Sequence, residues 1–273
     1  MIEQLIIPFQ FNFMISAFWI MSFVSVPTAF LSCYLVVKGW SLMGDAISHA
    51  VLPGIILAYL LKIPLILGAF CAGMICALAI GFLNRNSRVK QNTIIGIVFS
   101  GMFGVGLVIH TKIISEVHLE SVLFGNMLSV SFNDLWISGI ISLGVSTLLL
   151  AKQKDILLEC FDPVQAQAVG ISVRLLHYGM LAMISLTVVA TLSAVGIILS
   201  IGLLIIPGAI AFLLTNSFKY MLLLASCTNI ISSFFGIYLS FFIDSAPAPT
   251  IILMLVAFFI LALILFSFRT YRI

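Results

Sequence analysis

The sequence predicts an all-α fold, a polytopic bundle of eight or nine membrane helices, and three observations carry that prediction. Of its 273 residues 63% are hydrophobic and 8% charged, where an ordinary soluble domain carries about 25% charged residues. The mean hydropathy is +1.30. The apolar residues fall in repeated runs of about 20, the length one helix needs to cross a hydrocarbon core, and lipid gives a backbone no bonding partner, so such runs must be helical. The longest polar interruption, Lys152 to Arg174, is too short for a large water-soluble domain. Residues 1–273 therefore read as one transmembrane domain.

The first segment is Met14–Val37. Glu3 is the only charge ahead of Lys38, so the basic region of a cleavable signal peptide is missing and this helix is expected to be retained. Gly44–Leu61, Ile63–Leu83, Thr93–Thr111 and Leu135–Ala151 follow, then Leu175–Ala194, Ile197–Thr215, Tyr220–Ile243 and Thr250–Phe268. The count is nine, or eight if the stretch from Leu192 to Pro207, with Gly196, Gly202 and Pro207, is one broken helix. Such a break is tolerated at membrane depth only where protein or a cavity covers the freed backbone.

Basic residues are retained on the cytoplasmic side. With the amino terminus outside and the carboxy terminus cytoplasmic, all of the 12 lysines and arginines except Lys62 and Lys112 fall inside. The five cysteines, Cys33, Cys71, Cys76, Cys160 and Cys227, form no CxxC pair and mostly lie in apolar runs, where cysteine behaves as a small hydrophobe. The net charge of +3 is spread over short loops, which excludes a nucleic-acid-binding patch.

The stretch GWSLMGDAISHAVLPG, Gly39 to Gly54, puts an aspartate and a histidine inside an apolar run. On a helix Asp45 and His49, four residues apart, share a face. Ionisable residues within a span are costly and mark pathways or paired groups. Two bland explanations exist: Asp45 accepts a hydrogen bond from His49, or it caps the helix that begins near Gly44. The functional one is a divalent-metal site, since imidazole suits Zn, Fe and Ni while carboxylate suits Mn and Mg. One helix supplies two ligands, and pairing two copies about a two-fold axis gives four. Gly39, Gly44, Gly54 and Pro53 allow close backbone approach and a break in the helix.

The inner loop contains FDPVQAQAVG, Phe161 to Gly170. Asp162 suits an N-cap, Pro163 the first turn and Gly170 the C′ position, so Pro163–Val169 is expected to be a two-turn helix. Two turns are unstable alone, so the helix must pack on something, either its own protein or a motor subunit. GxxxxGK[ST] and HExxH are both absent, so the chain is not expected to be an enzyme, and any ATP hydrolysis belongs to another subunit.

With these stretches in hand, the sequence resembles the permease subunits of the manganese/iron/zinc family of ABC importers. The matching pieces are GWSLMGDAISHAVLPG, NTIIGIVFSGMFGVGL, FDPVQAQAVGI, VGIILSIGLLIIPGAIAFLLT and the closing SAPAPTIILM region. FLSCYLVVKGWSLMGDAISHA looks most like the chelated iron/manganese branch of Gram-negative bacteria. The resemblance implies an inner-membrane permease, paired with a second copy or a related permease, a cytoplasmic ATPase and an extracytoplasmic metal-binding protein. It implies no permanently bound cofactor, only a transported metal (Mn, Fe or Zn), coordinated at Asp45 and His49. It further implies an ATPase-coupling helix with Asp162, Pro163, Gln165, Ala168 and Gly170. The chain departs from the family at DSAPAPT, where Pro247 and Pro249 are expected to stiffen an extended segment after Asp244.

Glu116, His118 and Glu120 alternate in an outer loop, which puts them on one side of an extended chain, where they collect cations, meet the binding protein or are simply solvated. His110 and Lys112 mark the end of a span, and His177 reads as a cytoplasmic boundary residue. The main rival is a secondary transporter using Asp45 and His49 as a proton relay. A structural subunit indifferent to both residues is the other.

Overall fold

The computed structural model describes residues 7–112, 125 and 131–270. A 3-10 turn, Ile7–Gln10, leads into α1 (Asn12–Lys38). α1 stops where Gly39 turns left-handed (φ 71°), so that the N–H groups of Gly39 and Trp40 donate to Val36 and Leu35 carbonyls that a helix end leaves unpaired. A short link returns the chain into α2 (Met43–Leu61), followed by α3 (Leu65–Asn86), α4 (Gln91–Lys112) and α5 (Phe132–Ala151). Two helices too short to cross a bilayer come next, α6 (Gln153–Phe161) and α7 (Pro163–Ala168). The chain ends with α8 (Val173–Leu214), α9 (Phe218–Ile243) and α10 (Pro247–Thr270).

Among the described residues nine helical stretches are long and apolar enough to cross a membrane, and α8 supplies two of them, Val173–Leu192 and Val195–Leu214. Nine is therefore the count of spans among the described residues, and the division within α8 falls at Gly196 alone (φ 76°, ψ 175°), a conformation essentially confined to glycine. Gly202 and Pro207 simply continue the second limb. The two limbs run antiparallel. His177, early in the first limb, and Gly208, late in the second, both approach the Lys38 end of α1: His177 beside the carboxylate that binds Lys38, Gly208 by donating its N–H to Ser32 Oγ at 2.9 Å. At the reversal Ser200 Oγ lies 2.7 Å from the Gly196 carbonyl and 2.6 Å from Thr191 Oγ1. Gly125 lies against Val195 and Gly196 with no room for a Cβ. Protein thus covers the freed backbone, as lipid requires.

α1 and α2 are the most buried spans. One core joins the Lys38 half of α1 to α2, α3 and the first limb of α8; a second joins the opposite half of α1 to the second limb, α9 and α10. Lipid tails are as apolar as leucine, so helices associate through close packing and hydrogen bonds. Gly54 and Gly68 bring α2 and α3 so near that a Cβ on either meets the other's carbonyl. Asn229 Nδ2 of α9 donates to the Ser25 carbonyl and to Thr28 Oγ1 of α1, both at 3.0 Å.

Three local expectations are corrected. α2 runs unbroken through Pro53, because the helix is held on both sides and a proline there removes one ladder bond without ending it. Pro247 and Pro249 lie in the first turn of α10 and not in an extended segment, since the first turn has no N–H bond for proline to forfeit. The loop after α5 holds α6 as well as α7, and α7 ends at Ala168, a residue earlier than the cap residues suggest.

A Cβ on Gly208 would lie 2.5 Å from the Ser32 carbonyl oxygen, whereas one on Gly179 meets nothing within 4 Å. Gly208→Ala is therefore expected to cost about 1–3 kcal/mol as α1 and α8 are forced apart. Gly179→Ala should leave the unfolding midpoint of the detergent-solubilised protein unchanged or higher. An unaltered midpoint for Gly208→Ala would contradict the packing described.

Candidate metal site and inner-loop helix

Asp45 lies in the first turn of α2 and His49 one turn on. His49 Nε2 is 3.3 Å from Asp45 Oδ1, and the side chains keep 22% and 33% of their surface open. Because α2 starts at Met43, with Leu42 at its N-cap, Asp45 sits inside the helix and does not cap it. A pair that satisfies only itself leaves a remainder: His49 Nδ1 is buried and finds no hydrogen-bond partner among the described residues. The rings of Phe99 and Phe103 on α4 flank the imidazole at 5.1 and 5.4 Å and hold its orientation. Pro53 adds a further effect. It has no N–H to donate, so the helix ladder supplies no donor to the His49 carbonyl four residues back.

Close packing fixes the element that carries this pair. Gly44 abuts Leu204 of α8, where a Cβ would come within 3.1 Å, and Gly54 abuts Gly68. Among the described residues no group of three or more His, Cys, Asp and Glu side chains converges, so one copy offers two side-chain donors here. A cavity of about 440 Å³ opens further along α2, between Pro53, Gly68 and Met102. Its walls are apolar but for the Cys71 thiol, include neither Asp45 nor His49, and offer a manganese or iron ion no oxygen or imidazole donor from a side chain.

α7 is built as its sequence suggests. Asp162 Oδ1 accepts from the N–H groups of Val164 (3.0 Å) and Gln165 (2.9 Å), and Pro163 occupies the first turn. At the far end Gly170 is left-handed (φ 88°), letting its N–H donate to Gln167 and that of Ile171 to Ala166, both at 3.0 Å. Only Ala166 of this helix is buried; Asp162, Pro163, Gln165, Ala168 and Gly170 are exposed. So are three apolar side chains of the same region, Phe161, Val164 and Val169, at 71%, 77% and 67%.

Sequence reasoning missed the most buried charges. Lys38 Nζ lies 2.7 and 2.5 Å from the two carboxylate oxygens of Glu159 on α6, with the side chains only 10% and 4% exposed. The ammonium also sits 4.1 Å over the Trp40 ring. His177, read as a boundary residue, is drawn into this cluster, 5.0 Å from Trp40 edge to face and 4.0 Å from Glu159 Oε1. Ile156 and Glu159, three apart on one face of α6, are both buried, and no feature of the sequence around Glu159 announces it. Burial pushes the neighbouring Cys160 thiol up to about 11, with Lys38 pulling it partly back, so it stays protonated and unreactive at neutral pH.

Residues 10–266 match the ABC 3 transport family. The chain belongs to that family. It is 52% identical over 263 residues to a probable iron transport system membrane protein of Haemophilus influenzae, covering 96% of this chain and 97% of that one. It is 44% identical over 263 residues to a manganese transport system membrane protein of Synechocystis, covering 95% and 85%. The solved structure of PsaBC from Streptococcus pneumoniae in complex with Fab superposes with a TM-score of 0.86 at 33% identity, covering 96% of this chain and 95% of that one.

This ABC-family permease is thus a multi-pass protein of the inner membrane and a transport subunit. The proton-coupled rival gives way to the family. Glu116, His118 and Glu120 lie outside the described residues. For the segment from Asp162 to Gly170, the cap is open to test. Asp162→Ala removes the acceptor of two N–H groups and is expected to cost about 0.5–2 kcal/mol. A helix of 6 residues has little to set against that loss. Hydrogen exchange at the Ala166 and Val169 amides should speed up in Asp162→Ala and stay slow in Asp162→Asn; equal rates in both variants would show that the cap does not hold α7.

Proposed function

We propose that this permease imports a divalent transition metal, manganese(II) or iron(II), driven by a separate cytoplasmic ATPase, with Asp45 and His49 coordinating the ion in passage. The observation that carries this reading is the 3.3 Å separation of His49 Nε2 and Asp45 Oδ1 on a partly open face. Two donors each about 2.0–2.1 Å from one ion stand about 3.3–3.4 Å apart at a tetrahedral angle, so the pair is already spaced to share a metal. Imidazole with carboxylate selects the first-row divalent ions without naming one. The relatives named for iron and manganese transport favour those two. Zinc is the second reading, favoured by that same tetrahedral spacing.

The basic residues support an amino terminus outside and a carboxy terminus inside. In that orientation α6 and α7 face the cytoplasm, and the exposed Phe161, Val164 and Val169, which lie outside any span, form an apolar face for the ATPase. Asp162, Pro163, Gln165, Ala168 and Gly170 then make the coupling helix. A metal-binding protein docks on the outer side, where Glu116, His118 and Glu120 are the contacts to expect. A second permease, identical or related, brings the donors to four. Residues 1–273 act as one transmembrane domain, and the metal is cargo: the site must bind firmly enough to admit it and weakly enough to release it.

Uptake of radioactive manganese, iron and zinc is the test, in cells lacking their own high-affinity importers and expressing this chain with its ATPase and binding protein. Manganese or iron uptake should fall at least tenfold in Asp45→Ala, in His49→Ala and with a hydrolysis-dead ATPase. Zinc uptake with the same losses would select the second reading. Uptake surviving the dead ATPase would overturn ATP-driven transport, and uptake indifferent to Asp45 and His49 would remove them from the path.

A further inference from the structure

We infer that the buried Lys38–Glu159 pair, enclosed by Trp40 and His177, is the joint through which movement of α7 reaches α2 and the Asp45–His49 pair. The inference rests on the transport reading above and assigns these residues a positioning role within it. Glu159 stands three residues before Asp162, the residue that ends α6 and caps α7, so α6 and α7 share one hinge residue. Any displacement of α7 by a partner is passed to the Glu159 carboxylate. Both oxygens of that carboxylate hold the ammonium of Lys38, the last residue of α1.

From Lys38 the path to α2 is short and stiff. The Trp40 N–H donates to the Leu35 carbonyl at 2.7 Å, tying the link back to α1, and the Met43 N–H donates to the Trp40 carbonyl at 2.9 Å, tying it forward to α2. Asp45 follows two residues later. Trp40 is itself buried, under the Lys38 ammonium and against the His177 edge, so the link does not move independently of the charge pair. His177 sits in the second turn of α8, whose second limb presses Leu204 onto Gly44 beside the metal pair. The joint therefore touches both the link into α2 and α8, the helix whose Leu204 packs at Gly44.

The chemistry of the joint points the same way. A buried ion pair is poor material for stability, since an apolar pair of similar volume does as well or better. It is directional, however, and away from water it is either made or broken, which gives it the discrete arrangements that carry coupling between sites. Contiguity alone carries nothing. The assignment stands on a directional, water-excluded bond between α6, which leads into the segment that a partner moves, and the Lys38 end of α1, which the Trp40 link ties to the helix carrying Asp45 and His49.

The experiment uses the whole complex, this chain with its ATPase and binding protein, in proteoliposomes, and reads metal taken up per ATP hydrolysed. A residue that merely stabilises the fold lowers the amount of assembled transporter and leaves that ratio alone. Glu159→Gln and Lys38→Gln are expected to lower the ratio at least fivefold in complex that still contains the ATPase. The exchanged double variant, Lys38→Glu with Glu159→Lys, is expected to recover at least half of it. Where a neutral variant does not accumulate in the membrane, Glu159→Asp decides. It keeps the charge, withdraws the carboxylate by one methylene, and is expected to lower the ratio at least threefold. A ratio within twofold of the unaltered complex in the assembled variants overturns the inference. Absence of ATP-driven uptake by the unaltered complex would instead overturn the transport reading, and this inference with it.

Discussion

Lipid gives a peptide group nothing to bond with, and that constraint orders the polar features of this chain. Within the spans the helix ladder closes almost every bond. Where the ladder must stop inside the bundle, other groups are brought to it: Ser200, Thr191 and Gly125 converge on the reversal at Gly196. Charges obey the same rule, as the Lys38 ammonium and the Glu159 carboxylate are taken from water together or not at all. Against this background the exceptions carry information. Among the described residues His49 keeps a buried nitrogen without a partner, and its carbonyl faces a proline where a donor should be.

The same constraint explains why small residues frame the site. Helices in lipid gain little from burying leucine against leucine, so α2 is fixed by backbone approach, to α3 through Gly54 and Gly68 and to α8 through Gly44 and Leu204. Asp45 and His49 lie between these two contacts, on a helix that has little freedom to flex. A pair of donors on such a helix keeps its 3.3 Å spacing without rearrangement. A change in the site then comes from moving the helix as a body or from what faces it, not from rotating one ligand.

Much of this was legible in the sequence because it is local. Run lengths locate the spans to within a few residues, spacing four apart puts Asp45 and His49 on one face, and the Asp-Pro start with a Gly end marks α7. What escaped is long-range. Glu159 looks like an ordinary charge in a solvated loop, and nothing near it in sequence says that the loop returns to a lysine 121 residues earlier. The contacts of His177 escaped for the same reason: its surroundings are Trp40 and Glu159, not its neighbours along the chain. Pro247 and Pro249 show a different failure, since proline starts a helix as readily as it prevents one, and only the bonds of the first turn decide.

The two polar pairs differ in a way that matches what each is asked to do. Lys38 and Glu159 satisfy each other through two short contacts with almost no exposed surface, so the pair resists separation, as the inferred joint requires. Asp45 and His49 satisfy each other incompletely, with open surface and an unpaired ring nitrogen, so the pair has capacity left for something else. A transport site needs that capacity and must not fill it permanently. Under the proposed function, two donors from one chain hold an ion loosely, and a facing permease that adds two more holds it only while the two α2 helices are close. On this reading affinity becomes a function of the distance between two rigid helices. That distance is what a made or broken joint at the Lys38 end of α1 is positioned to change.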